Sequence, residues 1–421
     1  MKDKVISLAK HPLITGSSIV FLGTFGSNIV NYIFNLLMGR MLSVSDYGLL
    51  TSLNSLFILV GIFSVSFVSV ITKFSAKYFS SNDNNGAVIL LRHAGKFIVI
   101  FSSLLFLTLL LLTPQIGSFL HISNHLYIVL VLISIFFSLM FSLPLGFIQG
   151  RLQFSLYSAI ALAQPLIRLI AAILFISIGF SVLGPIIGIA LSTALPAIAC
   201  FIYLGKKYRQ VDKEKFDTKN FKKEFIHYTY TYFLAGIGLS LLSNTDIILV
   251  RHFFDSTIAG QYAALSLMGK AIFYFTSPIS IVFFPIIAYK KERKERLLQT
   301  VLLAVGSVVI SSGVLTFIYF AFPDLVLRVF FPKPNYAILS EYLGYYSLYI
   351  LIFSVGALMN SYFLSIGKTK VYLITLIGAL VQIVGILLFH KSLYEIIAGL
   401  SVASFIMLLL FLIYYYLYEK N

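Results

Sequence analysis

The sequence is long, apolar and basic: it has 421 residues, of which 59% are hydrophobic and 11% charged, and its formal net charge is +16. Because about a quarter of the residues of a soluble domain are charged, this composition excludes an ordinary soluble protein. The apolar residues come in runs of about 20, which suits membrane-spanning helices and is too long for the strands of a membrane barrel. The sequence therefore predicts an all-α, multi-pass membrane protein.

Polar breaks divide the chain into twelve predicted spans, six in each half. In the first half the spans are residues 13–38, 48–72, 95–113, 126–148, 154–178 and 182–204. In the second half they are residues 226–250, 258–288, 298–322, 340–366, 371–389 and 395–417. The eighth and tenth spans are long for a bilayer, so we expect them to tilt or to project from it.

The basic residues between the spans predict the orientation of the chain. If the N-terminus is cytoplasmic, 24 of the 31 Lys and Arg residues fall on the inner side and 5 on the outer side, while Arg168 and Lys270 lie within spans. Cytoplasmic loops carry the excess of Lys and Arg. Both termini are therefore expected in the cytoplasm, with the protein in the cytoplasmic (inner) cell membrane. Charges placed in this way do not indicate nucleic acid as a partner.

The first span carries a polar stripe in which Asn28, Asn31 and Asn35 share one face with Ser and Thr residues. Small hydroxyls on such a face are common in helix packing, but three asparagines exceed what packing usually needs. We expect these amides to contact sugar hydroxyls or phosphate oxygens, with helix packing as the alternative.

Arg168 lies near the centre of the fifth span, three residues after Pro165, and Tyr157 and Gln164 share its face. A charge at this depth costs about 2.5–3.5 kcal/mol on insertion scales, so it should face water or a partner. The guanidinium of Arg168 could face an aqueous cavity that binds an anion. The structural alternative is that it donates hydrogen bonds to the backbone carbonyls that Pro165 leaves without donors.

The seventh and eighth spans and the outer turn between them hold three further charges, namely Asp246 and Lys270 within the spans and Arg251 at the start of the turn. Lys270 is near the middle of the eighth span, with Ser266 and Ser277 on its face, and we expect it to meet an anion in a cavity. Asp246 is the only acidic residue predicted in a span away from its ends. We interpret it as the counter-ion of Lys270 or Arg251, and the alternative is a site for H⁺ or Na⁺.

The two halves repeat at an offset of roughly 211–217 residues. Asn35, Arg40 and Gly48 in one correspond to Asp246, Arg251 and Gly260 in the other, and QGRLQF from Gln149 corresponds to IGKTKV from Ile366. Six spans return the chain to its starting side, so the copies must be parallel repeats. The predicted domains are an N-terminal lobe of residues 1–205, a basic cytoplasmic linker of residues 206–225 and a C-terminal lobe of residues 226–421. Sites in such proteins usually lie between the copies.

Motifs for catalysis or cofactors do not stand out in the sequence. Cys200 is the single cysteine, so an intrachain disulfide and a cysteine-rich metal site are both excluded. Gly367-Lys368-Thr369 resembles the end of a phosphate-binding loop, but Tyr362 stands where that loop needs its first glycine. Catalytic residues, a metal and cofactors are therefore not expected.

Three segments resemble the bacterial polysaccharide-export flippases, a Wzx-like family that transports lipid-linked oligosaccharides such as O-antigen units. They are GRMLSVSDYGLLTSLNSLFILVG from Gly39, FIQGRLQFSLYSAIALAQPLIRL from Phe147 and DIILVRHFFDSTIAGQYAALSLMGKAIFYFTSPISIVFFPIIA from Asp246. The resemblance implies the fold of the multidrug/oligosaccharidyl-lipid/polysaccharide transporter superfamily, in which two six-helix lobes enclose a V-shaped cationic cavity. Arg40, Arg251 and Lys270 match cationic positions in its gate helices.

Such a protein would flip a polyprenyl-pyrophosphate-linked oligosaccharide across the membrane by alternating access. The resemblance implies that Arg40, Arg251 and Lys270 neutralise the pyrophosphate, while the three asparagines contact the glycan or the phosphate. The expected partners are this substrate, membrane lipids and either H⁺ or Na⁺. The protein is expected to work as a monomer beside a glycan polymerase and glycosyltransferases.

Four other classes compete with this interpretation. A cation-coupled multidrug antiporter of the MATE type shares the fold, but it should carry more acidic residues in its spans than Asp246. A major facilitator transporter also has six plus six spans, but its basic-acidic signature is missing after the second span. A membrane polysaccharide polymerase or ligase would need a large outer catalytic loop, and residues 322–342 are too short for one. A scaffold without transport activity stays open.

Overall fold

The computed structural model describes residues 12–207, 218–293 and 297–420, and all regular structure in these ranges is helical. The first part contains α1 (Pro12–Met41), α2 (Val44–Ser80), α3 (Asn84–Leu111), α4 (Thr113–Phe119), α5 (His125–Gly150), α6 (Phe154–Ser177) and α7 (Leu183–Lys207). The second part contains α8 (Thr218–Phe253), α9 (Ser256–Glu292), α10 (Leu298–Ala321), α11 (Pro323–Phe330), α12 (Ser340–Ser365), α13 (Tyr372–Leu388) and α14 (Leu393–Lys420). Two 3₁₀ turns, Pro334–Leu339 and Thr369–Val371, flank α12.

Twelve of these helices are long and apolar enough to cross a membrane. Their positions confirm the twelve predicted spans and the all-α fold class. The longest, α2 and α9, have 37 residues each, which is about 55 Å of helix and more than a hydrocarbon core requires.

The ends of several helices differ from the prediction, because the length of an apolar run reflects the thickness of the hydrocarbon core and not the full length of the helix. Residues 73–94, which lie between the second and third predicted spans, are mostly helical and continue α2 and α3. The break between them is made at Asp83, whose Oδ1 accepts a hydrogen bond from the backbone N–H of Gly86 at 2.7 Å. This is a helix N-cap, and it fixes the start of α3.

Four short elements lie largely outside the predicted spans, namely α4, α11 and the 3₁₀ turns Pro334–Leu339 and Thr369–Val371. Both α11 and the 3₁₀ turn Pro334–Leu339 begin with proline at the first position. A backbone N–H at this position would have no partner within the helix, so proline costs no hydrogen bond there. Of the predicted linker, residues 218–225 form the first turns of α8, and residues 208–217 lie outside the described ranges.

The chain folds into two compact units. Unit 1 comprises Met1–Phe34 and Val60–Phe233, and unit 2 comprises Asn35–Leu59 and Leu234–Asn421. Three helices, α1, α2 and α8, therefore contribute residues to both units. The lobe boundaries predicted from the sequence repeat stay a prediction.

Unit 1 is held together by close helix packing at small residues. In α5, Gly146 and Gly150 face the backbone of α2: a Cβ on Gly150 would lie 2.6 Å from the carbonyl oxygen of Thr72. Thr72 itself donates a hydrogen bond to the carbonyl of Gly146 at 3.2 Å. This is the small-xxx-small packing by which membrane helices approach each other.

Unit 2 is built around α12, which packs against α9, α10 and α14. Its buried face carries Tyr346, Tyr349 and Tyr362, all at most 1% exposed. Gly269 of α9 admits the ring of Tyr346 at a distance that any side chain would block. The buried hydroxyl groups of these tyrosines must find polar partners, and this requirement leads to the candidate site.

Candidate functional site

Lys270 is half-buried in the middle of α9, the helix whose start is fixed by Asp255. The Oδ1 of Asp255 accepts hydrogen bonds from the backbone N–H groups of Thr257 at 2.8 Å and Ile258 at 3.0 Å, which caps α9. The ammonium group of Lys270 interacts electrostatically with the carboxylate of Asp246 in α8. Among the described residues, no hydrogen bond from this ammonium group is formed, so its three donors are available.

Asp246 is 1% exposed and lies in a cluster of tyrosine hydroxyls. Its Oδ2 accepts a hydrogen bond from the hydroxyl of Tyr262 at 2.7 Å and a longer one from that of Tyr346 at 3.5 Å. Its Oδ1 is buried without a hydrogen-bond partner in the described part of the chain. A membrane-buried carboxylate of this kind needs a neutralising charge, and Lys270 is in place to provide it.

The tyrosine cluster extends beyond the carboxylate. The hydroxyl groups of Tyr346 and Ser266 lie 3.1 Å apart, and the hydroxyl of Tyr349 donates to the carbonyl of Leu242 at 3.5 Å. Ser266 was predicted to share a face with Lys270, and it joins this cluster. Ser277, predicted on the same face, donates instead to the carbonyl of Tyr274 in its own helix at 3.1 Å.

Arg251 follows Asp246 at the end of α8 and is only 4% exposed. It lies in unit 2 with Lys270. Unit 2 thus holds these two cations and the acid on the successive helices α8 and α9.

Arg40, also in unit 2, is exposed and is engaged elsewhere. Its Nε donates a hydrogen bond to the carbonyl of Phe330 at 2.9 Å, and its Nη2 donates to the carbonyl of Val329. These carbonyls belong to the C-terminal end of α11. Arg40 therefore binds a short helix that the sequence did not predict, whereas Lys270 interacts with Asp246.

Arg168 forms a separate cationic centre in unit 1. Its Nη2 donates to Oδ1 of Asn31 in α1, and its Cζ lies 4.2 Å from the ring centroid of Phe34. The helices are held together nearby, since the hydroxyls of Ser27 and Ser158 donate across the α1–α6 interface, each at 3.0 Å. The predicted partners Tyr157 and Gln164 are half-buried.

The three predicted asparagines do not share one environment. Asn31 binds Arg168, Asn28 is exposed, and Asn35 is half-buried and belongs to unit 2. The structure therefore joins Arg168 to Asn31 in unit 1 and Lys270 to Asp246 in unit 2.

Sequence reasoning missed Tyr262, Tyr346 and Tyr349. Tyr346 and Tyr349 are one helical turn apart in α12, but 100 residues separate Tyr346 from Asp246. With 26 tyrosines in the chain, no spacing singled these out. The one usable signal is the isolated acid itself, which requires donors nearby.

The fold resembles that of known transporters. It superposes on a multidrug resistance MATE family transporter of the MOP superfamily in an inward-facing conformation, with a TM-score of 0.76 and 12% identity over 92% of this chain and 93% of that one. The lipid II flippase MurJ in its inward closed conformation gives a TM-score of 0.72 and 16% identity, covering 94% of this chain and 86% of that one. A MATE protein in its straight conformation gives 0.64 and 13%, with 97% of both chains covered.

This fold, with its twelve membrane-capable helices, defines a multi-pass membrane protein with the architecture of the MOP transporter superfamily. The family described as "Polysaccharide biosynthesis protein" matches residues 13–290, and the chain belongs to this flippase family. The resemblance inferred from the three sequence segments is confirmed. Family and fold indicate a transporter rather than a catalyst. No curated protein sequence matches the chain.

Proposed function

We propose that the protein flips a polyprenyl-pyrophosphate-linked oligosaccharide from the inner to the outer leaflet of the cytoplasmic membrane by alternating access. Membership of the polysaccharide biosynthesis family supports the class of substrate. The observation that carries the proposal is Lys270, an ammonium group placed in the middle of an apolar helix with its hydrogen-bond donors unused by the described residues.

A pyrophosphate group cannot enter hydrocarbon without compensating charge, whereas a polyprenyl tail is at home there. In this proposal Lys270 binds the pyrophosphate, and Arg251 contributes a second positive charge from α8. Asp246 serves as the counter-ion of Lys270 when the substrate is absent. The tyrosine hydroxyl groups hold the Asp246 carboxylate in place. Lys270 can therefore leave this carboxylate to bind the substrate and return to it afterwards, while the carboxylate stays where it is.

Arg168 and the asparagines of α1 would contact the glycan or the phosphate. The guanidinium of Arg168 is oriented by Asn31 and by the ring of Phe34, and an oriented guanidinium can bind hydroxyl or phosphate oxygens with two parallel donors. Asn28 is exposed and can join it. Arg40 is left out of this binding set, because its guanidinium donates to two backbone carbonyls.

The proposed orientation, oligomeric state, partner enzymes and driving force follow from the charge pattern and from the class of substrate. The excess of Lys and Arg between spans supports cytoplasmic termini. In this proposal the protein works as a monomer that receives the lipid-linked substrate from glycosyltransferases and passes it to a polymerase. The driving force is H⁺, Na⁺ or the substrate gradient, and Asp246 is the residue through which an ion could act.

A second candidate is a cation-coupled multidrug antiporter, favoured by the similarity to MATE structures. An organic cation would be repelled by Lys270 and Arg168 at the two centres described above. Assays of drug efflux in cells separate the two candidates, since we expect no increase in resistance on expression of this chain.

Exchange of Lys270 tests the proposal in cells. We expect Lys270→Met to abolish surface glycan export at normal protein levels and Lys270→Arg to retain part of it, because a charge is kept. Lys391→Ala is the control, since Lys391 is an exposed lysine just before α14. Export by Lys270→Met at the wild-type level would refute the role given to this ammonium group.

A further inference from the structure

We propose that residues 323–339, which comprise α11 and the following 3₁₀ turn, form a clamp that holds the turn between α1 and α2 in place. The hydrogen bonds of Arg40 keep this turn bound to the clamp. We call residues 323–339 the clamp. The inference rests on the proposed alternating-access transport but concerns a different part of unit 2 from Lys270.

The first observation is that Arg40 caps the clamp helix. The last four carbonyl groups of a helix have no partner within it. Arg40 donates to two of these in α11, those of Val329 and Phe330. A cation at this end also interacts favourably with the helix dipole.

The capping is reciprocal, because the clamp provides donors for the C-terminal end of α1. Lys333 Nζ donates to the carbonyl of Leu42 at 2.7 Å, and the hydroxyl of Tyr336 donates to the carbonyl of Gly39 at 3.3 Å. The end of α1 and the clamp thus supply each other's missing partners through side chains that lie 289 or more residues from their acceptors in the chain.

Apolar packing completes the interface between the clamp and the turn. The ring of Phe331 lies directly on Gly39, where any Cβ would overlap it. Its centroid is 4.8 Å from that of Tyr336 and 6.1 Å from that of Tyr47. All three rings are at most 2% exposed.

The clamp also reaches the start of α9, which crosses the start of α2 beside it. Gln261 Nε2 donates to the carbonyl of Asn335 at 2.8 Å. A Cβ on Gly48 would lie 2.7 Å from the backbone nitrogen of Gly260, and one on Gly260 would collide with the carbonyl of Val44. These glycines occupy equivalent places in the sequence repeat, so the equivalent helices α2 and α9 meet backbone to backbone.

All of these interactions lie within unit 2, and they tie residues 39–48 to the second half of the chain. The charge pattern predicts that this turn faces outward. A transporter that releases its substrate to that side must undo these bonds in each cycle. Arg40 therefore sets how readily the turn is released rather than binding the substrate.

Thiol labelling tests the clamp. In a Cys200→Ala background, Leu42→Cys places one thiol at a position that is 3% exposed beneath the clamp. We expect Arg40→Ala to raise the rate at which a membrane-impermeant maleimide labels this thiol in whole cells by about tenfold, which corresponds to about 1.4 kcal/mol. Tyr336→Phe, a milder change that removes one hydrogen bond, should raise it by a smaller factor.

Arg328→Ala is the matched control, because Arg328 is exposed on the same short helix and makes no hydrogen bond among the described residues. It should leave the labelling rate unchanged. Equal rates for wild type, Arg40→Ala and Tyr336→Phe would overturn the clamp, even if Lys270→Met still blocks export. Faster labelling in both variants together with normal export by Lys270→Met would uphold the clamp and refute the proposed substrate site instead.

Discussion

The carboxylate of Asp246 is bound by tyrosines that lie 16 and 100 residues away along the chain. The sequence predicted a counter-ion role for this acid, because a lone carboxylate among cations must be neutralised in a membrane. It did not predict the hydroxyl groups that hold the carboxylate in place, since those hydrogen bonds depend on how α8, α9 and α12 pack. Arg40 shows the same limit: its charge was evident, but its partners in α11 were not.

A double-mutant cycle measures the coupling between Asp246 and Lys270. Removing one charge of a buried pair leaves the other uncompensated, so Lys270→Met and Asp246→Asn should each lower the melting temperature in detergent. The double variant should recover much of the loss, with a coupling energy on the order of 1–2 kcal/mol. Losses that simply add would show that the two groups do not interact.

At the scale of elements, the helices were largely predictable and their packing was not. Runs of apolar residues located all twelve spans, because hydrocarbon thickness imposes their length. The extensions of α2 and α3 beyond the apolar runs, and the short α11, leave no such pattern. Their positions depend on capping residues such as Asp83 and on tertiary packing.

Glycine positions between helices offer a test of the packing. A Cβ at Gly150 would lie 2.6 Å from the carbonyl oxygen of Thr72, whereas one at Gly61 would meet no atom within 4 Å. We expect Gly150→Ala to lower the melting temperature in detergent by several degrees. Gly61→Ala should leave it unchanged or raise it, because alanine favours a helix over glycine by about 1 kcal/mol. Equal effects of both changes would contradict the close packing of α2 and α5.

At the scale of the whole molecule, composition and the internal repeat predicted a duplicated helical transporter, and the family and fold agree that it is a transporter. Gly48 and Gly260, which the predicted repeat makes equivalent, touch in unit 2. The sequence located the four cations Arg40, Arg168, Arg251 and Lys270 but left their partners open. The structure separates three of them by partner: backbone carbonyls for Arg40, Asn31 and Phe34 for Arg168, and Asp246 for Lys270.

The central claim is that the transporter recognises a pyrophosphate through Lys270, and flipping in proteoliposomes tests it most directly. The purified protein would be reconstituted with a fluorescent polyprenyl-pyrophosphate oligosaccharide, and with the same glycan on an uncharged polyprenyl carrier. We expect wild-type protein to translocate the pyrophosphate form alone and Lys270→Met to translocate neither. Equal translocation of both lipids, or undiminished flipping by Lys270→Met, would contradict the account.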